Sequence, residues 1–283
     1  MGSFLKSAYE AFVRFLNRNK YITGNKNFPI KKNEVNIHRY RLNSGKENLG
    51  DYLPCVVVDY MKNVYGIKGN SSAKTKHLFT IGSILHFCIM DATIWGSGFM
   101  NYPSKHEDVR LMRKLHKMDI RAVRGPKTRK ILLELGFNCP ECYGDPAVLM
   151  PFVYSNENIL KTRKFSVIKH MSDKTECTNE INILTSDYKC FIDKILESEL
   201  IISSSLHGII LAEAYGVPAV LYLPEGTTLT MLKYEDYYFG TGRYEFPVAR
   251  TIDEALGVTP CEIPDFTDMQ KKLIDSFPED LWN

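Results

Sequence analysis

The 283-residue sequence lacks the features that would place it at once in several common classes of protein. No uninterrupted apolar run reaches the ~18 residues that a membrane-spanning helix requires. The charge is nearly balanced, with 36 Lys+Arg against 33 Asp+Glu and a net charge of +3, so charge alone does not indicate a nucleic-acid partner. At 44% hydrophobic and 24% charged residues, the composition is typical of a globular protein and excludes a disordered or fibrous chain.

Short catalytic motifs are also missing. The sequence contains no GxxxxGK[ST], GxGxxG, HExxH or GxSxG, and no Asp-x-Asp pair that would hold a metal-bound nucleotide sugar. These absences count against a P-loop kinase, a dehydrogenase, a zinc hydrolase and a serine esterase. We therefore expect neither a resident metal nor a cofactor.

Cysteine is present but follows no metal-binding or disulfide pattern. The seven cysteines are scattered, and Cys139-Pro-Glu-Cys142 is the one CxxC. A zinc ribbon needs a second pair, so we expect ordinary loop cysteines here. Without a recognisable leader and cleavage site, the odd cysteine count predicts mostly buried thiols in a reducing cytoplasm.

Apolar runs that end at glycine alternate with helical patterns along most of the chain. Strands are predicted at 77–82, 92–96 and 118–123 and then at 165–168, 181–184, 199–202 and 218–222, and helices at 54–65, 126–135, 187–197, 206–215 and 268–277. This rhythm is typical of open α/β sheets. It predicts two similar α/β halves, at 31–150 and 151–283, with the last helix crossing back to the first half and a ligand cleft between the halves.

Residues 1–30 read as a short amphipathic helix and a linker. Apolar side chains recur at three- and four-residue steps, and residues 1–40 hold eight Lys/Arg against two acids. Two interpretations stay open: the helix packs on the body of the protein, or it lies on an anionic membrane surface.

The segment 201–210 is the strongest local chemical signal. An apolar strand ends, Ser203, Ser204 and Ser205 follow, and His207 stands at the start of a helix. Free N–H groups at a helix start attract anions, and a histidine there suits proton transfer near neutral pH. A capping or packing role for His207 explains the same pattern.

A second signal is Val123-Arg124-Gly125-Pro126-Lys127-Thr-Arg129. The forked guanidinium of Arg124 suits a carboxylate or a phosphate. Lys127 and Arg129 add positive charge to a first helical turn, which opposes the helix dipole. An anionic ligand would offset that cost, whereas the alternative is a solvated basic face.

An ordered series of motifs resembles the polysaccharide pyruvyl transferase family over about residues 45–240. The series comprises Asn48-Leu-Gly-Asp51, Ile81-Gly-Ser83, Trp95-Gly-Ser-Gly98, Val123-Arg-Gly-Pro126, Gly144-Asp-Pro-Ala-Val-Leu-Met-Pro151, His170, Ser204-Ser-Leu-His-Gly208 with Glu213-Ala-Tyr-Gly216, and Lys233-Tyr-Glu-Asp-Tyr-Tyr238. The resemblance implies two Rossmann-like domains, similar to the GT-B glycosyltransferase fold. It implies His207 and Arg124 as catalytic residues and substrate binding by Asp51, Gly82, Ser83, Gly96, Ser97, Gly98, Lys127, Asp145, His170, Ser204, Ser205, Leu206, Gly208 and Lys233.

The resemblance also implies an activity. The donor would be phosphoenolpyruvate, and its enolpyruvyl unit would form a pyruvate ketal on two hydroxyls of a bacterial surface polysaccharide, such as a capsule or exopolysaccharide, or of its lipid-linked precursor. Work on such an acceptor places the protein in the cytoplasm, with possible peripheral contact at the inner membrane face. Two alternatives are a GT-B-type glycosyltransferase, in which Glu213 would contact a ribose, and a sugar-binding protein without activity.

The chain departs from the family pattern at one position. Many members have an arginine two residues before the catalytic histidine, where this chain has Ser205. Part of the anion site is then either missing, which would favour a protein without activity, or supplied by another cation, for which the candidates are Lys169, Lys233 and Arg243.

Overall fold

The computed structural model describes residues 30–88, 90–102 and 116–283, which form two four-stranded parallel sheets. The first sheet has the order β1-β2-β3-β4 and the second β5-β6-β7-β8. The strands are β1 Val35–His38, β2 Lys76–Phe79, β3 Ala92–Trp95, β4 Met118–Ala122, β5 Ser166–Ile168, β6 Ile201–Ser203, β7 Ala219–Tyr222 and β8 Val248–Ala249. The predicted α/β class with two Rossmann-like sheets is confirmed, and similarity to the GT-B fold stays a prediction.

Eight α-helices accompany the sheets in the described ranges. They are α1 Leu49–Val64, α2 Pro126–Glu134, α3 Met150–Val153, α4 Tyr188–Leu196, α5 Leu206–Ala214, α6 Leu232–Gly240, α7 Ile252–Gly257 and α8 Thr267–Asp275. Short 3₁₀ helices occur at Leu85–Phe87, Pro146–Leu149 and Glu279–Trp282. Because each sheet follows chain order, neither contains a reversal of strand order in its described part, so neither offers there the switch-point crevice of a doubly wound sheet.

Two predicted elements differ from the structure. The helix predicted from Pro54 begins at Leu49, because the Asn48 side chain caps it by accepting a hydrogen bond from Asp51 N. The strand predicted at 181–184 is wrong. Ile181 and Ile183 are buried, as alternate residues of a strand would be. However, Leu184 N donates to the side-chain Oδ1 of Asn182 at 2.9 Å instead of to a neighbouring strand.

One buried apolar cluster includes side chains from both halves, among them Leu49 and Leu53 of α1, Ile209 and Leu211 of α5, and Leu273 of α8. Helix α8 lies against the first half: the Leu273 carbonyl accepts from Trp95 Nε1 at 3.0 Å, and the Ile274 carbonyl accepts from the Tyr65 hydroxyl at 2.9 Å. The two sheets therefore share packing, and the domain boundary near residue 150 stays a prediction.

The predicted amphipathic helix at residues 1–20 lies outside the described residues. In the described ranges, no helix combines the length and the apolar character that a bilayer crossing demands.

Candidate active site

A cavity of about 440 Å³ lies between the two halves and is lined by residues from both. Its volume falls in the usual range for a small-molecule site. It receives segments that follow β1, β2 and β5, together with the starts of α1, α5 and α6. The predicted site residues that line it are Asp51, Gly82, Ser83, His170, Ser205, Leu206, His207 and Lys233.

His207 reaches the cavity from the first turn of α5. Its ring packs against Gly50 of α1 so closely that a Cβ on Gly50 would collide with Nδ1. The ring's other nitrogen, Nε2, lies 3.6 Å from Asp145 Oδ2. Glycine at position 50 is thus required for the histidine to occupy this place.

Lys233, on α6, is a buried cation without a compensating partner. Its side chain is 4% exposed, lines the cavity, and has no hydrogen bond or ion pair within the described ranges. Its Nζ lies 4.8 Å from the centroid of the Tyr234 ring. Burial first, and the charge of Arg124 second, lower the pKa of Lys233 to about 7, against the opposing attraction of Asp51. An anion in the cavity would complete this site.

The titratable groups that line the cavity also include Asp51 and His170. Burial raises the pKa of Asp51 to about 6, although His207, Arg39 and Lys233 pull it down. Burial also lowers the pKa of His170 to about 4, with a further lowering from Lys233. At neutral pH the site therefore holds a carboxylate, a neutral His170 and a lysine close to its titration point.

The first backbone N–H groups of α5 are available to a hydrogen-bond acceptor. Ser205 is the N-cap residue but makes no side-chain capping bond. The N–H groups of Leu206 and His207 have no acceptor among the described residues. Because such groups carry partial positive charge, this helix start and Lys233 favour the same kind of ligand.

Arg124 lies beneath the cavity rather than on its lining. Its Nε pairs with Asp236 Oδ2 at 3.0 Å, its Nη2 donates to the Phe99 carbonyl at 2.7 Å, and its Nη1 donates to Ser83 Oγ at 2.6 Å. Both members of the ion pair are fully buried. Since Ser83 does line the cavity, Arg124 is connected to the site through that hydroxyl.

The other basic residues of this segment do not line the cavity either. Lys127 pairs with Glu235 at 3.1 Å, and Arg129 pairs with Glu141 at 3.1 Å. The carboxylate of Asp236 accepts from Thr128 N at 2.8 Å in the first turn of α2. The cost of positive charge at this helix start is therefore offset by the protein's own carboxylates, and the expected anionic ligand is not needed here.

Several predicted binding residues lie behind the cavity wall. Ser97 Oγ donates to the Gly82 carbonyl at 2.8 Å, and Ser204 Oγ donates to Asp173 Oδ2 at 2.6 Å. A Cβ added at Gly96, Gly98 or Gly208 would collide with the protein's own atoms. Residues that thus support the site without lining it are Gly96, Ser97, Gly98, Asp145, Ser204 and Gly208.

The three candidates for the missing arginine are separated by their partners. Lys169 pairs with Glu180 at 2.8 Å, and Arg243 binds both oxygens of Glu213 at 2.7 Å each. Lys233 alone of the three faces the cavity without a partner in the described part of the chain. Of the three candidates, Lys233 is therefore the one whose position in the described ranges allows contact with a ligand in the cavity.

Glu213, the ribose ligand of the glycosyltransferase alternative, is 1% exposed. Beside its bidentate bond to Arg243, it accepts from the Tyr237 hydroxyl at 2.6 Å. It does not line the cavity, so the feature that would favour a nucleotide sugar is absent from this site.

Sequence reasoning missed part of the lining: Tyr40, Asn48, Ile84, His86, Phe87, Met100, Asn101, Met171, Ser172, Thr228, Leu229 and Thr230. Tyr40 follows β1, whose alternating Val-Asn-Ile-His pattern was a usable signal for a strand. Asp236 was missed as a partner of Arg124 because 112 positions separate them, and no local pattern reports such a pairing.

The cysteines form no cluster with other ligands. Within the described ranges, no group of three or more His, Cys, Asp or Glu side chains is placed to hold a metal ion. All seven thiols are free, and Cys88 and Cys139 are buried, whereas the rest are partly or fully exposed. The expectation of mostly buried thiols was wrong.

The fold and the cavity define an α/β protein that presents a buried cation, an open helix start and a histidine between two parallel sheets. A family model described as polysaccharide pyruvyl transferase matches residues 3–224. The chain belongs to this family, and the resemblance seen in the motifs is confirmed.

The chain is also similar to an uncharacterized protein of Acanthamoeba polyphaga mimivirus. It is 32% identical to this chain over 119 residues, a match that covers 36% of this chain and 42% of the viral protein. The match thus spans less than half the length of that relative.

Proposed function

We propose that this protein transfers the pyruvyl unit of phosphoenolpyruvate onto two hydroxyls of a saccharide, forming a pyruvate ketal. The observation that carries the proposal is the cavity in which unpartnered Lys233, the open start of α5 and His207 occur together. Family membership supports the class of reaction. The donor carries a phosphate and a carboxylate, so it suits a site whose free groups attract anions.

Donor binding is assigned to Lys233 and the start of α5. The ammonium group and the N–H groups of Leu206 and His207 attract negative charge, and the hydroxyls of Ser83 and Ser205 line the same cavity. Hydrogen bonds to charged groups in a partly dry site contribute about 1.5–3 kcal/mol each. Arg124 donates a hydrogen bond to Ser83 Oγ and is proposed to position that hydroxyl, while its own charge is paired with Asp236.

The proposed reaction has two addition steps. Protonation of the donor's methylene carbon makes a methyl group and leaves a cation at the adjacent carbon, which the first sugar hydroxyl attacks. Departure of phosphate regenerates the cation, and the second hydroxyl closes the ketal. Of the two protons that the hydroxyls release, one balances the proton delivered to carbon and the other leaves with phosphate, so no redox partner is required.

His207 and Asp51 are the proton-transfer groups of this scheme. His207 is proposed to protonate the methylene carbon, a role in which a positioned acid contributes about 10²–10⁴-fold in rate. Asp51, with a pKa of about 6, is ionised at neutral pH and is proposed to accept a hydroxyl proton from the acceptor. In this scheme the Asp51 carboxylate acts on the hydroxyls of the saccharide, whereas Lys233 binds the phosphoenolpyruvate.

The acceptor is proposed to be a surface polysaccharide or its lipid-linked precursor. Residues 1–20 are proposed to bring the protein to an anionic membrane through their apolar and basic side chains, each basic residue near the surface contributing ~1 kcal/mol. Deletion of these residues should reduce co-sedimentation with anionic vesicles and spare activity on a short soluble acceptor. A fall in melting temperature with unchanged sedimentation would contradict the membrane role.

Mass spectrometry of a candidate glycan, incubated with the protein and phosphoenolpyruvate, tests the function. The expected product carries one pyruvyl ketal and appears with one equivalent of phosphate. His207→Ala should lower the rate by about 10²-fold or more at unchanged folding. Thermal stabilisation by uridine diphosphate and not by phosphoenolpyruvate would overturn the proposal in favour of a glycosyltransferase.

A further inference from the structure

The carboxylate of Asp145 lies directly behind His207, away from the cavity. Asp145 is fully buried, and its Oδ1 accepts from Ala147 N at 3.1 Å, which caps the 3₁₀ helix Pro146–Leu149. Its Oδ2 and His207 Nε2 are both buried without a hydrogen-bond partner in the described part of the chain. The two atoms lie 3.6 Å apart.

An unsatisfied buried carboxylate oxygen and an unsatisfied buried ring nitrogen are each costly. A proton on Nε2 would satisfy the hydrogen-bonding needs of both atoms if the distance between Nε2 and Oδ2 shortened by less than an ångström. Catalytic hydrogen bonds are often long before a ligand binds. No other acceptor or donor in the described ranges reaches either atom. The arrangement has the base-and-orienter geometry in which a carboxylate sets the histidine tautomer.

We propose that Asp145 is a positioning residue that holds His207 with its proton on Nε2 and stabilises the charged imidazolium. The edge of the ring that carries Nδ1 lies against Gly50, where no side chain would fit. The ring is thereby held between α1 and the 3₁₀ helix. The expected effect on turnover rests on the proposed transfer reaction. The expected position of the ring proton does not depend on that reaction.

The test compares Asp145→Asn with the wild-type protein. The asparagine Oδ1 can still accept from Ala147 N, but its amide group donates to Nε2 and moves the ring proton to Nδ1. Nitrogen-15 NMR of labelled histidine should show His207 protonated at Nε2 in the wild type and at Nδ1 in the variant. Asp187→Asn, which alters a capping aspartate of α4 that bonds Cys190 N, is the matched control and should leave the His207 signals unchanged.

The kinetic test uses the same variants. Asp145→Asn should lower kcat about 10²-fold or more with little change in KM for phosphoenolpyruvate, and should have no further effect in a His207→Ala background. Unchanged His207 nitrogen shifts in a folded Asp145→Asn protein would overturn the inference. If the wild-type protein has no transfer activity but the tautomer changes as described, the proposed reaction is wrong and the pairing stands.

Discussion

Helices α2 and α5 both begin where a parallel strand ends, and each carries basic or titratable residues in its first turn. In α2 the first turn is closed by the protein itself, since Asp236 accepts from Thr128 N and pairs with Arg124. In α5 the first N–H groups lack an acceptor in the described ranges and face a cavity. Similar local patterns thus lead to a structural junction in one half and a candidate ligand site in the other.

Two lysines near these helix starts, Lys127 and Lys233, differ in the same way. Lys127 at the start of α2 pairs with Glu235 and lies 5.0 Å from the centroid of the Phe239 ring. Lys233 has neither an ion pair nor a hydrogen bond in the described part of the chain, although it is far more deeply buried. A buried charge without a partner is costly, so Lys233 is the lysine for which an anionic ligand would offset a destabilising burial.

The largest effect on stability is expected at the start of α2, where Asp236 pairs with Arg124. Asp236→Ala should destabilise the protein by about 3–5 kcal/mol, because it leaves Arg124 buried without a counter-charge. Chemical denaturation measures the loss. Glu235→Ala, which removes the partly exposed partner of Lys127, should cost no more than about 1 kcal/mol. Equal losses in the two variants would mean that the buried pair is not what holds this junction.

At the open helix start, Gly50→Ala should impair catalysis more than folding. Alanine is favoured over glycine in a helix by up to about 1 kcal/mol, but its Cβ would displace the His207 ring. Misplacement by about 1 Å lowers rates by about 10²-fold, so turnover should fall by that order. Gly257→Ala, where no atom lies within 4 Å of the added Cβ, is the control and should leave turnover unchanged.

Substitution of Lys233 should weaken the binding of phosphoenolpyruvate, whereas substitution of Lys127 should not. Lys233→Met should weaken phosphoenolpyruvate binding about 10–100-fold, which corresponds to the loss of one charge-assisted interaction. Lys127→Met should leave the dissociation constant unchanged. Calorimetry on both variants measures the difference, and a similar weakening in the two would place the donor elsewhere.

The smallest expected effect is a dependence of donor binding on pH. The ammonium of Lys233 is present below its pKa of about 7 and is lost above it. Affinity should therefore fall by up to about fivefold from pH 7 to pH 8, because the protonated fraction of Lys233 falls from about one half to about one tenth. Lys233→Arg keeps its charge across this range, so its affinity should not change. A pH dependence that persists in Lys233→Arg would assign it to another group.

Part of the site was predictable because its signals are local. The serines and His207 follow an apolar strand directly, so their place at a helix start could be read from neighbouring residues. The motif order also identified the family. By contrast, Arg124 has the local features of a ligand residue, and only a carboxylate 112 positions away shows that its charge is already neutralised.

Local patterns by themselves determined the α/β class, most strands and helices, and the helix start that carries His207, because hydrophobic periodicity and glycine positions act over a few residues. Tertiary structure alone decided which cations are paired, which glycines contact the protein rather than a ligand, and that Asp145 lies behind the histidine. Those outcomes depend on distances between residues remote in sequence, and the free energy of a buried charge is set by whatever the fold brings beside it.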